Sequence, residues 1–319
     1  MKVLITGANG FVGKALGLRL LEEGHSVYGA IRPQRQLPAG IEPRPAAPLT
    51  AEGDWSAALA GCEAAVHLAA RVHVMHDTAS DPLAEFRAAN VAGTLRLAEQ
   101  AAAAGLRHLV FLSSIKANGE ETFATPFGPD NAAPVDPYGI SKLEAERGLA
   151  AIAARSGLAV TVLRPPLIYG PGVMGNFRAL VGLVDRGLPL PLGAIHNRRS
   201  LIGLDNLTDA IRACLDHPPE AGQCRTFTLA DGEAVSSSEL VRRIARALDR
   251  PARLLPVPVG LMRLAGKLTG KAAAVQRLTA SLEVDSGAIA AMIGWSAPRT
   301  LDEGLDATAR WWRNKETRP

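Results

Sequence analysis

The chain has 319 residues, 47% apolar and 21% charged, which suits one large or two average domains with a full core and excludes a mainly disordered protein. Its 35 basic and 31 acidic residues leave a formal charge of only +4, and the bases read as scattered rather than interleaved with aromatics, so no nucleic-acid partner is expected. Uncharged stretches such as residues 165–177 are shorter than the about 18 apolar residues of a span and are broken by Pro and Gly, so no membrane partner is expected. After Met1-Lys2 the sequence enters a strand-like run directly, and the odd cysteines, Cys62, Cys214 and Cys224, sit in apolar contexts without metal spacing; both point to the cytoplasm.

In chain order, apolar runs at residues 3–6, 27–31, 64–68, 109–113 and 160–164 predict strands, with a weaker one near 44–46. Helical patterns at 12–23, 82–103 and 138–155 lie between them. Apolar runs without alternation, joined by crossover helices, predict parallel strands buried on both faces. Past Arg164 the elements shorten and Pro and Gly punctuate them. Residues 200–204 and 226–229 read as strands around a helix at 206–215, and Ser236 with Glu239 forms a capping box for a helix reaching Leu248. Two further helices follow, and 305–312 closes the chain. The expected fold is an α/β, Rossmann-type doubly wound parallel sheet with a smaller mixed α/β substrate lobe. The expected division is 1–165 with 202–229 for a dinucleotide, and 166–201 with 230–319 for substrate.

The turn Thr6-Gly7-Ala8-Asn9-Gly10-Phe11-Val12-Gly13 follows the first strand and opens the first helix. Glycines there permit a tight turn and close backbone approach, and a helix N-terminus faces a pyrophosphate. Gly7, Asn9, Gly10, Phe11, Val12 and Gly13 are the predicted cofactor contacts. At the end of the second strand an NAD site wants an acid for the ribose 2′-hydroxyl. This chain has Ile31-Arg32, and a guanidinium suits a 2′-phosphate, so NADP(H) is favoured with NAD(H) possible.

Tyr138 and Lys142 are four residues apart on a predicted helix, hence on one face. A nearby ammonium favours the tyrosinate and is expected to lower the phenol pKa toward neutrality, making Tyr138 a usable acid or base. Ser113 and Ser114 lie at the carboxyl end of the preceding strand, where ligands bind in open α/β sheets, so either could reach the same oxygen. The cluster His73-Val74-Met75-His76-Asp77 has no third ligand near it in sequence and is expected to be a loop rather than a metal site.

Together with His67-Leu68-Ala69-Ala70, Asn90-Val91-Ala92-Gly93-Thr94 and Arg164-Pro165-Pro166-Leu167-Ile168-Tyr169-Gly170, these motifs resemble the extended short-chain dehydrogenase/reductases, the NAD-dependent epimerase/dehydratase family. The resemblance covers nearly the whole chain. It implies Ser114 as the hydroxyl on the substrate oxygen, Tyr138 as acid/base and Lys142 on the nicotinamide ribose as well. It places Leu68, Ala69, Ala70, Asn90, Pro165 and Leu167 along the cofactor. For a UDP-sugar substrate it implies Ser113, Lys116, Asn176, Pro191, Leu192 and Arg199, with Arg277 as a second guanidinium. A homodimer through the helices at 82–103 and 138–155 is expected from their Ala-rich faces and the family's habit.

Three departures from the family pattern bear on the reaction: Ala47-Pro48 where Gly-Asp is usual, Lys116-Ala117-Asn118-Gly119 where many members have Val-Tyr-Gly, and Ile31-Arg32 in place of an acid. With the resemblance of 114–120 and 199–206 to reductases that make UDP-N-acetylquinovosamine for surface polysaccharides, they favour NADPH-dependent reduction of a UDP-linked 4-keto-6-deoxy-hexosamine. The alternative is a UDP-hexose or UDP-N-acetylhexosamine 4-epimerase with retained NAD, and a second is a non-catalytic dinucleotide-sensing regulator.

Overall fold

The computed structural model describes residues 1–72 and 81–316. The elements, in chain order, are β1 (Lys2–Thr6), α1 (Phe11–Glu22), β2 (Ser26–Ile31), β3 (Glu42–Pro45), α2 (Ser56–Leu59), β4 (Ala64–His67), α3 (Pro82–Phe86), a π-helical segment (Arg87–Ala92), α4 (Gly93–Ala103), β5 (His108–Leu112), α5 (Pro137–Ser156) and β6 (Ala159–Arg164). The chain continues with β7 (Leu167–Tyr169), α6 (Gly175–Asp185), β8 (Arg199–Gly203), α7 (Leu204–Asp216), β9 (Cys224–Thr228), β10 (Ala234–Val235), α8 (Ser237–Ala247), α9 (Val259–Leu268), α10 (Ala272–Thr279), α11 (Gly287–Ile293) and α12 (Leu301–Glu316).

Seven strands run in the order β3-β2-β1-β4-β5-β6-β9, every pair parallel. The order reverses between β1 and β4, which opens a crevice at their carboxyl ends. Successive side chains of a strand face opposite ways, and β1 shows why its apolar run has no polar gaps. Val3 and Ile5 join Leu16 and Leu20 of α1 and Leu207 and Ile211 of α7 on one face. Leu4 joins Leu97 of α4 and Leu149 and Ile152 of α5 on the other. A second sheet, β10-β8-β7, carries a separate core that includes Tyr169, Phe177, Leu240 and Leu305.

Two differences from the sequence reading have local causes. The expected helix 82–103 is interrupted by the π-helical segment, which carries Asn90. The strand read at 200–204 pairs with β7 and β10, so the return to the main sheet after β6 is made by β9, while α7 packs on α1. The weak strand is an edge, with Pro43 and Pro45 tolerated because its outer side pairs with no other strand. Half of the expected capping box forms: Glu239 N–H donates to Ser236 Oγ at 3.0 Å, while the Glu239 carboxylate accepts from Arg242 and Arg243. Gly148 of α5 stands against Leu95 of α4, where a Cβ would come 2.6 Å from a leucine methyl. Part of the small-residue face expected to pair two chains is therefore spent inside one.

Candidate active site

The glycine turn is shaped by contacts a side chain would prevent. Gly7 has φ +70°, and a Cβ there would sit 3.0 Å from the Ala69 nitrogen. A Cβ on Gly13 would land inside contact distance of the Gly7 carbonyl oxygen and 2.7 Å from Ala8 Cα. Gly10 N–H donates to Gly7 O at 2.9 Å and caps α1, whose first turn has no acidic residue. An anion-ready helix end and a turn stripped of side chains fit a dinucleotide pyrophosphate. Val12 is buried, Asn9 and Phe11 half-buried, and Phe11 packs against both the main core and the small-lobe core.

The ends of β1 and β4 are locked together by a buried polar chain. Thr6 Oγ1 accepts from Ala69 N–H at 3.2 Å and lies 2.7 Å from His67 Nδ1, while His67 Nε2 lies 2.9 Å from Thr94 Oγ1. Burial first, then the nearby Lys142 charge, push the His67 pKa down to about 3, so the ring is neutral. This chain fixes Leu68, Ala69 and Ala70 beside Gly7.

Asn90 is buried, and its amide is fully engaged with protein groups. Its Oδ1 accepts from Arg71 N–H at 2.8 Å, and its Nδ2 donates to Arg71 O at 3.0 Å and Ser141 Oγ at 3.1 Å. It therefore ties the chain after β4 to the first turns of α5.

Helix α5 is started by Asp136, which accepts from Gly139 N–H at 2.6 Å, with Pro137 in the first turn. That start sets Tyr138 close to Ser114, whose hydroxyl favours the phenolate. The Phe86 ring meets Tyr138 edge-on with centroids 5.8 Å apart. Lys142 is buried; its Nζ donates to Leu112 O at 2.9 Å and lies 5.9 Å from the Tyr138 ring centroid. Its pKa is pushed down to about 7 by burial, against the Glu146 charge.

The expectation of a Tyr138 pKa near neutrality is corrected here. Burial, then Asp136, push it up to about 12, with the Ser114 hydroxyl acting the other way. Helical spacing brought the ammonium to the right face, but Lys142 reaches back to the β5 carbonyl, and desolvation of the phenolate outweighs its influence.

Ser113 is placed differently from Ser114. Its hydroxyl donates to Glu146, inside a buried pair with Arg164. Lys116 is held by Asp136 and by Glu120 at 2.8 Å; burial alone would lower its pKa, yet the two carboxylates raise it. Arg199 at the start of β8 donates from Nη1 to the carbonyls of Arg277 at 2.8 Å and Ala280 at 3.1 Å, and burial lowers its pKa despite Glu120. The Arg277 side chain itself is exposed, as are Asn176 and Pro191. Leu192 is in the small-lobe core, Pro165 is buried, and Leu167 is exposed on β7. Arg32 is exposed just past β2, with no ion pair among the described residues.

The cluster from His73 to Asp77 lies outside the described residues, and among the described residues no group of three His, Cys, Asp or Glu could hold a metal. The sequence reading missed Asp136, although an Asp-Pro pair before a helix is a readable cap signal. It also missed Glu146, which nothing short of the fold brings to Ser113.

Residues 3–230 match the family described as "NAD dependent epimerase/dehydratase family". A UDP-glucose 4-epimerase of Vibrio cholerae is 44% identical over 312 residues, 97% of this chain and 94% of that protein. An N-acetyl-alpha-D-glucosaminyl-diphospho-ditrans,octacis-undecaprenol 4-epimerase of Escherichia coli O157:H7 is 28% identical, with 97% and 94% covered. The structure of MoeE5 in complex with UDP-glucose and NAD superposes with a TM-score of 0.79 at 26% identity, covering 99% of this chain and all of that one. With a glycine turn shaped for a dinucleotide, Ser114 just past β5, and Tyr138 and Lys142 on α5, the chain belongs to the NAD-dependent epimerase/dehydratase family and is an enzyme of that family.

Proposed function

We propose that the protein is a UDP-hexose 4-epimerase that keeps its NAD bound through the cycle. The observation that carries this is the 44% likeness, over nearly both whole chains, to a UDP-glucose 4-epimerase, joined to Tyr138 with the buried Lys142 four residues on in the same helix. The 4-keto reductase expected from Ile31-Arg32 and Ala47-Pro48 fits less well, since neither relative described above is a reductase. The preference for NADP finds no support either. MoeE5 is seen with NAD, and an exposed Arg32 is equally at home in solvent. Membership in an enzyme family sets the sensor aside.

In this reading residues 1–165 with 202–229 hold the dinucleotide on the Gly7–Gly13 turn, with Lys142 turning to its ribose. Residues 166–201 with 230–319 hold the UDP-sugar, and Arg199 faces the diphosphate. A bound oxidised nicotinamide would supply a reversible hydride acceptor for C4 and a positive charge that favours a tyrosinate near it. Ser114 holds the 4-oxygen; Tyr138 takes its proton and later gives one back. Because burial keeps Tyr138 protonated near neutral pH, the abstracting half is the one that needs that extra charge. The work is placed in the cytoplasm.

The test is to denature the purified protein, weigh any released nucleotide, and supply UDP-glucose with no added cofactor. Released NAD and formation of the 4-epimer are expected. An NADP-loaded or empty site, together with NADPH consumption on a 4-keto sugar and no conversion of UDP-glucose, would overturn the reading. A homodimer through α4 and α5 is part of the proposal; light scattering at 33.5 kDa would reject that part.

A further inference from the structure

Residues 250–282 contain Arg250, Arg253, Arg263, Lys267, Lys271 and Arg277 and no Asp or Glu. The bases stay scattered along the chain, but its net positive charge resides in this segment, since the other 29 bases are slightly outnumbered by the 31 acids. Only Arg250 has an ion pair among the described residues, with Asp185.

The same segment exposes leucines in a pattern. Helix α9 turns Met262 and Gly266 inward, and the hairpin with α10 closes where Val275 stands against Gly266. On its outer side Leu261, Leu264 and Leu268 are 59%, 55% and 80% exposed. At 3.6 residues per turn these three fall within an arc of about 60°, with Arg263 and Lys267 along one flank. Leu255 in the loop before α9 and Leu278 on α10 are also exposed, at 49% and 38%. Contiguous exposed leucines edged by unpaired cations form a surface made for something apolar below and anionic at its rim.

We propose that the α9–α10 hairpin is a peripheral membrane-docking surface for anionic phospholipid. Leu261, Leu264 and Leu268 enter the boundary between headgroups and acyl chains, and Arg263, Lys267 and Lys271 meet the lipid phosphates. The expectation of no membrane partner rested on span length, which does not bear on a helix lying in the interface plane. A second copy of this chain is a poorer occupant: a two-fold contact through a segment without one acid sets cation against cation. The docked surface belongs to the substrate lobe and adjoins Arg199, whose guanidinium is held by the carbonyls of Arg277 and Ala280. The inference does not depend on which sugar reaction the site performs.

Flotation of the full chain with vesicles of phosphatidylglycerol and phosphatidylethanolamine, and with pure phosphatidylcholine vesicles, tests it. Binding to the first set alone, released by added salt, is expected. Leu261→Ser/Leu264→Ser/Leu268→Ser should abolish flotation while circular dichroism stays unchanged. Each of Lys267→Gln and Lys271→Gln should weaken partitioning about fivefold, and these two keep the test alive if the leucine variant misfolds. Absence of flotation at low salt, or equal flotation of the variants, overturns the proposal. So does a dimer in solution that the leucine changes split while vesicles stay unbound, which would assign the face to a second copy.

Discussion

Arg164 Nε donates to both carboxylate oxygens of Glu146, at 3.0 and 3.1 Å, and each residue is about 5% exposed. Arg164 Nη1 adds bonds to Asn118 Oδ1 at 3.2 Å and Pro129 O at 2.8 Å, and Ser113 donates to the same carboxylate. The pair therefore joins the ends of β5 and β6, helix α5 and the loop beyond Asn118 directly beneath Ser114. Breaking one side leaves a buried charge without its partner, which costs about 3–5 kcal/mol. Glu146→Gln is expected to lose stability on that scale in urea denaturation. Glu146→Leu with Arg164→Met removes both charges and should recover much of it. A single variant within about 1 kcal/mol of the parent would show that water or another group compensates Arg164.

Much of this arrangement was readable and some was not, for definite reasons. The strands around Val3, Val66, Val110 and Val162 declare themselves because burial on both faces demands unbroken apolar runs. The glycine turn is readable because Gly7 and Gly13 occupy places where a Cβ has no room. Ser113 and Ser114 could not be separated, since adjacent side chains at a strand end point opposite ways and only the fold says which meets Glu146 and which meets Tyr138. The tyrosine pKa was misjudged because spacing gives proximity to Lys142 but says nothing about desolvation. Arg277 was expected for its guanidinium, whereas its carbonyl is the group that touches Arg199.

His67 gives the protein a built-in acid sensitivity. Its native pKa is lowered to about 3, while an unfolded histidine titrates near 6.5, so between these values the unfolded chain binds more protons. Stability is therefore complete above pH 6.5 and falls as the pH drops toward 3. His108, lowered to about 4 by burial, acts in the same direction. From pH 7 to 5 the His67 share amounts to roughly 2 kcal/mol. His67→Gln should flatten the decline by that amount in urea titrations at the two pH values. Identical slopes for parent and variant would mean that His67 is protonated in the native state.

Gly13→Ala tests the dinucleotide turn without touching a charged group. The new methyl would collide with the Gly7 carbonyl and the Ala8 backbone, so the turn must open. The variant is expected to purify without bound nucleotide and to need at least about tenfold more dinucleotide for half-saturation, equivalent to about 1.4 kcal/mol. Gly260→Ala is the matched control, because a Cβ there meets nothing within 4 Å. Equal nucleotide content in both variants would place the pyrophosphate elsewhere.

Tyr138→Phe separates proton transfer from binding. The ring stays against Phe86 and keeps the shape of the pocket, and only the hydroxyl that meets Ser114 is lost. Removal of a general acid–base group costs about 10²–10⁴-fold in turnover. Loss on that scale in kcat is expected, with binding of UDP and of the dinucleotide unchanged by calorimetry. Ser114→Ala keeps the proton donor but removes the group that holds the oxygen, so its loss should be smaller and should leave the pH profile in place. Lys142→Met should act differently again. Burial has already pushed the ammonium down to about pH 7, so removing it relieves an unfavourable buried charge at lower pH. Linkage fixes the sign of that effect. Between about 7 and 10.5 the unfolded lysine holds its proton and the native one does not, so the parent gains stability as pH rises and is penalised below 7. The Met variant should lack that slope and be relatively more stable at pH 6 than at pH 9, even as turnover falls. A Tyr138→Phe enzyme within a few-fold of the parent would show that another group moves the proton, and the assignment of Tyr138 would fail.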